Sequence, residues 1–138
     1  MEISFLKEMN QWFDKHPLLP RRHMHVVHED EPFDIFSLHR AIVFVHTSWS
    51  GPSHFGITNF LSAISQVHDF NVNVYFVNLD FVRHEEMKNW VEGTSVIIRC
   101  AGETFWMIHG KVCAIHPTVG WDQLEVIKER IRLFMQVE

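Results

Sequence analysis

Ala41-Ile42-Val43-Phe44-Val45 is an uninterrupted apolar run followed at once by the loop Thr47-Ser48-Trp49-Ser50-Gly51-Pro52-Ser53. A run this short, bounded by small and polar residues, is too brief for a buried helix and reads as a strand covered on both faces. Val72 to Leu79 is read as the next buried strand. The stretch between them places Ile57, Phe60, Leu61, Ile64 and Val67 on one face of a helix that reaches about His68. Two buried strands joined by a helical crossover predict an α/β chain with a parallel pair at the heart of its sheet. In such sheets chemistry gathers at the carboxyl ends of central strands, which directs attention to residues 47–54.

The remaining segments extend this plan. Residues 2–15 carry Ile3, Phe5, Leu6, Met9, Trp12 and Phe13 on a helical stripe that stops at His16-Pro17. A Pro-bounded connector (18–22) leads to a short strand near 24–28, an acidic turn, and a brief helical segment near 33–38. Further on, the pattern predicts a helix over 83–92, with Met87, Trp90 and Val91 inward. Strands over 95–100 and 104–109, joined by Ala101-Gly102-Glu103, then form an antiparallel hairpin, and Lys111–His116 is a further edge strand. A closing helix at about 122–136 has Asp122 at its N-cap and buries Leu124, Ile127, Ile131 and Phe134. Trp12, Trp90, Trp106 and Trp121 are expected to pack in the core or between helix and sheet. With no repeat, low-complexity tract or linker, the chain reads as one domain over 1–138: an N-terminal helix and connector (1–22) and a core (23–138).

Composition narrows the function classes. At 46% hydrophobic residues with 12 Phe and 5 Trp, the chain has ample material for a packed core. A net charge of −5 without any basic stripe argues against nucleic acid as a partner. No apolar run approaches a membrane span, and no cationic stretch precedes an apolar one at the N-terminus, so no membrane partner and a cytoplasmic location are expected. Cys100 and Cys113 fit neither a CxxC motif nor a disulfide framework, and read as structural thiols. His23, His25 and His28, beside Glu29 and Asp30, form the densest histidine cluster. No known structural metal site has that spacing, so solvated edge-strand histidines are expected and no metal or other cofactor is implied.

Strand 41–45 followed by Trp49-Ser50-Gly51-Pro52-Ser53 and a helix resembles the active-site segment of thioredoxin, which reads Trp-Cys-Gly-Pro-Cys. Asn78-Leu79-Asp80 resembles the end of that family's next strand, Ile97 to Gly110 its last hairpin, and Leu124 onwards its C-terminal helix. The resemblance covers roughly residues 40–136, with the N-terminal helix and Lys111–Thr118 as additions. It implies a thioredoxin-like fold: a central mixed sheet in the order 1-3-2-4-5, with helices on both faces.

The departures from that family carry the functional expectation. In thioredoxin one cysteine attacks a disulfide as a thiolate and the second resolves the mixed disulfide. Ser50 and Ser53 stand at those places, and a serine hydroxyl neither ionises there nor forms a sulfur–sulfur bond. Phe44 replaces the family's buried aspartate. The cis-proline facing the disulfide aligns with Thr94, after Gly93. A competing alignment puts Glu103 there, at the expense of an insertion that makes strand 95–100 extra. The expected function is therefore a redox-inactive, non-catalytic module that binds a protein partner through Trp49, Pro52, Gly93 and Thr94, in an adaptor, assembly or chaperone, or immunity-type role. The alternatives are an enzyme using a thiol cofactor, redox regulation through Cys100 or Cys113, and nucleophilic catalysis by Ser50 with His54, four residues on.

Overall fold

A computed structural model describes residues 4–28, 31–79, 88–94 and 99–137. Helix α1 (Phe5–Asp14) opens with Ser4, whose hydroxyl accepts the Lys7 amide at 3.2 Å, and it buries Phe5, Met9 and Phe13. Strand β1 (Met24–Val26) follows, then a 3₁₀ turn at Ile35–Ser37 capped by the Asp34 carboxylate. Strand β2 (Arg40–His46) is buried from Ala41 to His46. Helix α2 (Gly51–Gln66) begins under a Ser50 cap with Pro52 in its first turn, where proline costs no hydrogen bond. Strands β3 (Asn73–Asn78), β4 (Thr104–Ile108) and β5 (Lys111–His116) precede helix α3 (Leu124–Met135).

These strands form one mixed sheet in the order β1-β3-β2-β4-β5. β1, β3 and β2 run parallel, and β4 and β5 are antiparallel to their neighbours. The two apolar runs are adjacent strands, with Phe44 opposite Phe76 on one side and Thr104 on the other. Alternate residues of β2 feed two cores. Ile42 and Phe44 pack with α1, α2 and α3, while Val43 and Val45 pack with Ile35, Phe105, Met107 and Trp90. Among the described residues, the three long helices share one face. The opposite face is covered by the 35–37 turn and by Trp90 in the helical residues 88–90. The N-terminal helix is thus part of the main core.

The hairpin differs from expectation. Among the described residues it is built by β4 and β5, with Lys111–His116 as its second strand, and the two sides of β4 are taken by β2 and β5. Residues 95–98 lie outside the described residues; Arg99 and Cys100 are not in a strand. The physical reason is the turn. His109 and Gly110 both have positive φ, 50° and 74°, and a two-residue turn of that hand matches the twist of an antiparallel pair. Glycine is required there, since a Cβ on Gly110 would stand 2.6 Å from the Phe36 carbonyl oxygen. Ala101-Gly102-Glu103 is consequently the segment entering β4. Two smaller expectations also fail. Asp122 does not cap α3, which is entered through a 3₁₀ turn at Trp121–Gln123, and Trp121 is 81% exposed because it sits on that turn, outside the core.

Candidate active-site loop and the network beneath it

β2 ends at His46, and the chain turns through Thr47–Trp49 into α2, with the Ser50 amide donating to the Thr47 carbonyl at 3.1 Å. Ser50 is nearly buried. Its hydroxyl accepts the Ser53 amide at 3.3 Å, the N-cap bond that a helix start demands. Ser53, one turn on, points inward and is fully buried. Its Oγ accepts the Thr47 amide at 3.0 Å and lies 2.8 Å from His46 Nδ1.

His46 is itself fully buried, and its Nε2 lies 2.9 Å from Glu8 Oε2 on α1. That same carboxylate oxygen accepts the Ser48 hydroxyl at 2.9 Å. The Glu8 contact is an ion-pair distance, and which of Ser53 Oγ and His46 Nδ1 donates to the other is set by the imidazole tautomer. The result is a chain from Ser53 through His46 to Glu8, walled by the rings of Phe5, Trp12, Phe44 and His54. The His54 ring is directed at Ser48, not at the Ser50 hydroxyl, and its Nε2 donates to the Ser48 carbonyl at 2.7 Å. Glu8, Gln11, Trp12, Lys15, Ser48 and His54 line an open cleft of about 480 Å³ beside this network.

The outer surface of the loop has the opposite character. Trp49 is 70% exposed, Phe55 on the first turns of α2 is 72% exposed, and Gly51 and Pro52 are exposed between them. Gly93 and Thr94 are exposed too, in the turn after residues 88–90, where the Thr94 amide and hydroxyl both donate to the Val91 carbonyl. The segment seated on the loop is Ala101-Gly102-Glu103. A Cβ on Gly102 would lie 3.1 Å from the Phe44 ring and 3.3 Å from Ser53 Cα, and its φ of +76° suits glycine alone. The Glu103 carbonyl accepts the Val45 amide, and its buried carboxylate gathers the Arg99 and Ala101 amides, holding the strained turn at Cys100 (φ +57°). Thr118 Oγ1 donates to the Ala101 carbonyl from the other side. The residues packed on Phe44 and Ser53 are thus among those that immediately precede β4.

Other expected residues are dispersed. Cys100 and Cys113 are not joined in a disulfide. Burial pushes the Cys113 thiol above its usual range, although a backbone hydrogen bond opposes the shift. His25 Nε2 meets Asn73 Oδ1 at 3.0 Å and its ring stacks on Tyr75, while His23 packs edge-on against Phe70. Among the described residues no three His, Cys, Asp or Glu side chains converge as metal ligands would, and no helix is long and apolar enough to cross a membrane.

No family model matches this sequence, and no curated protein matches it. Glu8 and His46 were not legible as site residues: they lie 38 positions apart with no motif between them.

Proposed function

We propose that this chain is a thioredoxin-like protein-binding module whose Ser50-Gly51-Pro52-Ser53 loop occupies the place of the family's redox centre and does no dithiol–disulfide exchange. The strand order, the loop at the carboxyl end of the central parallel strand and the antiparallel β4–β5 hairpin support the thioredoxin-like reading. In that frame the position of the family's cis-proline belongs to Thr94 or Glu103. One observation carries the functional reading: both serine hydroxyls are spent on structure, while the surface outside them presents Trp49 and Phe55 to solvent. Exposed aromatic rings beside a rigid helix start are the usual anchors of protein interfaces.

The partner is a protein that covers Trp49, Pro52 and Phe55, and the role is adaptor, assembly or immunity-type binding inside the cytoplasm. Recovery of a stoichiometric complex by pull-down, insensitive to thiol blockers, is the expected result. Trp49→Ala should weaken that complex roughly thirtyfold, as truncation of a central interface tryptophan does. The denaturation midpoint should barely move. Unchanged affinity of Trp49→Ala would end this reading of the face.

A second reading has a specific observation in its favour: Ser53, His46 and Glu8 are linked as alcohol, base and acid. Full burial of Ser53, and the Thr47 amide already bonded to its oxygen, weigh against a nucleophile. Covalent labelling of Ser53 by a fluorophosphonate probe would favour the enzyme. An alternative through the thiols is opposed at Cys113, since a thiol pushed up by burial is a poor nucleophile near neutrality.

A further inference from the structure

β5 ends the sheet: among the described residues its only strand neighbour is β4. Lys111, Cys113 and Ala114 are exposed along it, and no described strand pairs with its outer side. A terminal strand of this kind templates another strand unless proline, inward-pointing charge or a covering element blunts it. β5 reads Lys-Val-Cys-Ala-Ile-His, with no proline and a single charge at its first residue. Its irregularity, the extra residue Cys113 between the Ala114–Trp106 and Val112–Met107 pairs, lies on the side already joined to β4.

Beside this edge lies a groove. Trp106, Cys113, Ala114, Arg130, Leu133 and Phe134 line an open, largely apolar cavity of about 400 Å³ between β5 and the C-terminal half of α3. Leu133, on its rim, is 58% exposed. The two cations here are uncommitted: neither Lys111 nor Arg130 forms an ion pair among the described residues, although the chain carries a net charge of −5. β5 itself holds no carboxylate. A second copy pairing through the same strand would bring cations together with nothing to neutralise them.

We propose that the free edge of β5 and the adjoining groove receive an extended, acid-flanked apolar segment of another protein by strand addition. Its backbone continues the sheet, one large apolar side chain enters the groove, and its carboxylates meet Lys111 and Arg130. Strand addition draws affinity from main-chain hydrogen bonds and specificity from such side-chain pockets. This surface is separate from the Trp49 face and stands or falls without it.

The test uses blocked peptides of the form Glu-Val-X-Val-Glu, with X as Leu, Phe or Trp, titrated into the isotope-labelled full chain. Amide exchange in residues 111–116 should slow by about tenfold or more with at least one peptide. The double variant Lys111→Glu/Arg130→Glu alters two exposed positions. It should keep the thermal midpoint, bind the same peptides roughly tenfold more weakly and gain binding to their Lys-flanked counterparts. Three results would overturn the proposal. These are no protection of β5 by any peptide, indifference of binding to the charge reversal, and concentration-dependent protection of β5 in the peptide-free protein, which would give the edge to a second copy.

Discussion

Ser53→Ala removes one oxygen from a place water does not reach. Two partners lose their bond: the Thr47 amide at 3.0 Å and His46 Nδ1 at 2.8 Å, both on fully buried residues. A buried polar group left unpaired costs about 1–3 kcal/mol, so the two together should cost about 2–6 kcal/mol. In urea, with m of about 2 kcal/mol/M, the midpoint should fall by about 1–3 M. Ser53→Cys should lose less, since a thiol keeps weak donor and acceptor capacity. In a His46→Phe background the same Ser53→Ala change should be cheaper by about 1 kcal/mol, because one of the two partners is already gone. A loss under about 0.5 kcal/mol for Ser53→Ala, or strict additivity in the double variant, would refute the coupled network.

Gly102→Ala should cost about 2 kcal/mol or more on the same urea curve, since φ is +76° and the new methyl would press on the Phe44 ring and Ser53. The unmodified protein should leave insulin disulfides intact in the presence of reductant. On the thioredoxin-like reading proposed above, Ser50→Cys/Ser53→Cys should give feeble turnover at most, because Phe44 and either Thr94 or Glu103 would stand at that family's aspartate and proline. Alkylation of Cys113 by iodoacetamide should be slower at neutral pH than that of an unfolded cysteine peptide and should accelerate at higher pH than usual, as its raised thiol demands. His116 is pushed below the ordinary 6.5, first by burial; its bond to the Pro117 carbonyl opposes this and Arg130 adds to it. The folded state therefore binds this proton less readily than the unfolded chain. Stability is intact above pH 6.5 and declines as pH falls through the folded value, and His116→Asn should flatten that decline in pH-dependent denaturation.

Sequence alone determined what depends on local pattern. Ala41–Val45 is wholly apolar and Val72–Leu79 is dominated by apolar side chains, which read as buried strands, and both are central and adjacent. The α1, α2 and α3 stripes were visible at helical spacing, and the small-residue loop after β2 marked the turn from strand into helix. Local pattern was insufficient for the last hairpin. Residues 95–100, 104–109 and 111–116 all read as strands, and any two neighbours among them satisfy the same alternation. The tertiary structure chose the pair whose turn, His109-Gly110, carries the twist and hangs from the Leu38 and His39 carbonyls. The network beneath the loop was decided wholly in three dimensions. Glu8, His46 and Ser53 belong to three different elements, and only the packing of α1 across the end of β2 brings a carboxylate to a histidine and that histidine to a serine. Side-chain periodicity records which face of an element is buried, but not which polar groups on separate elements must satisfy one another once water is excluded.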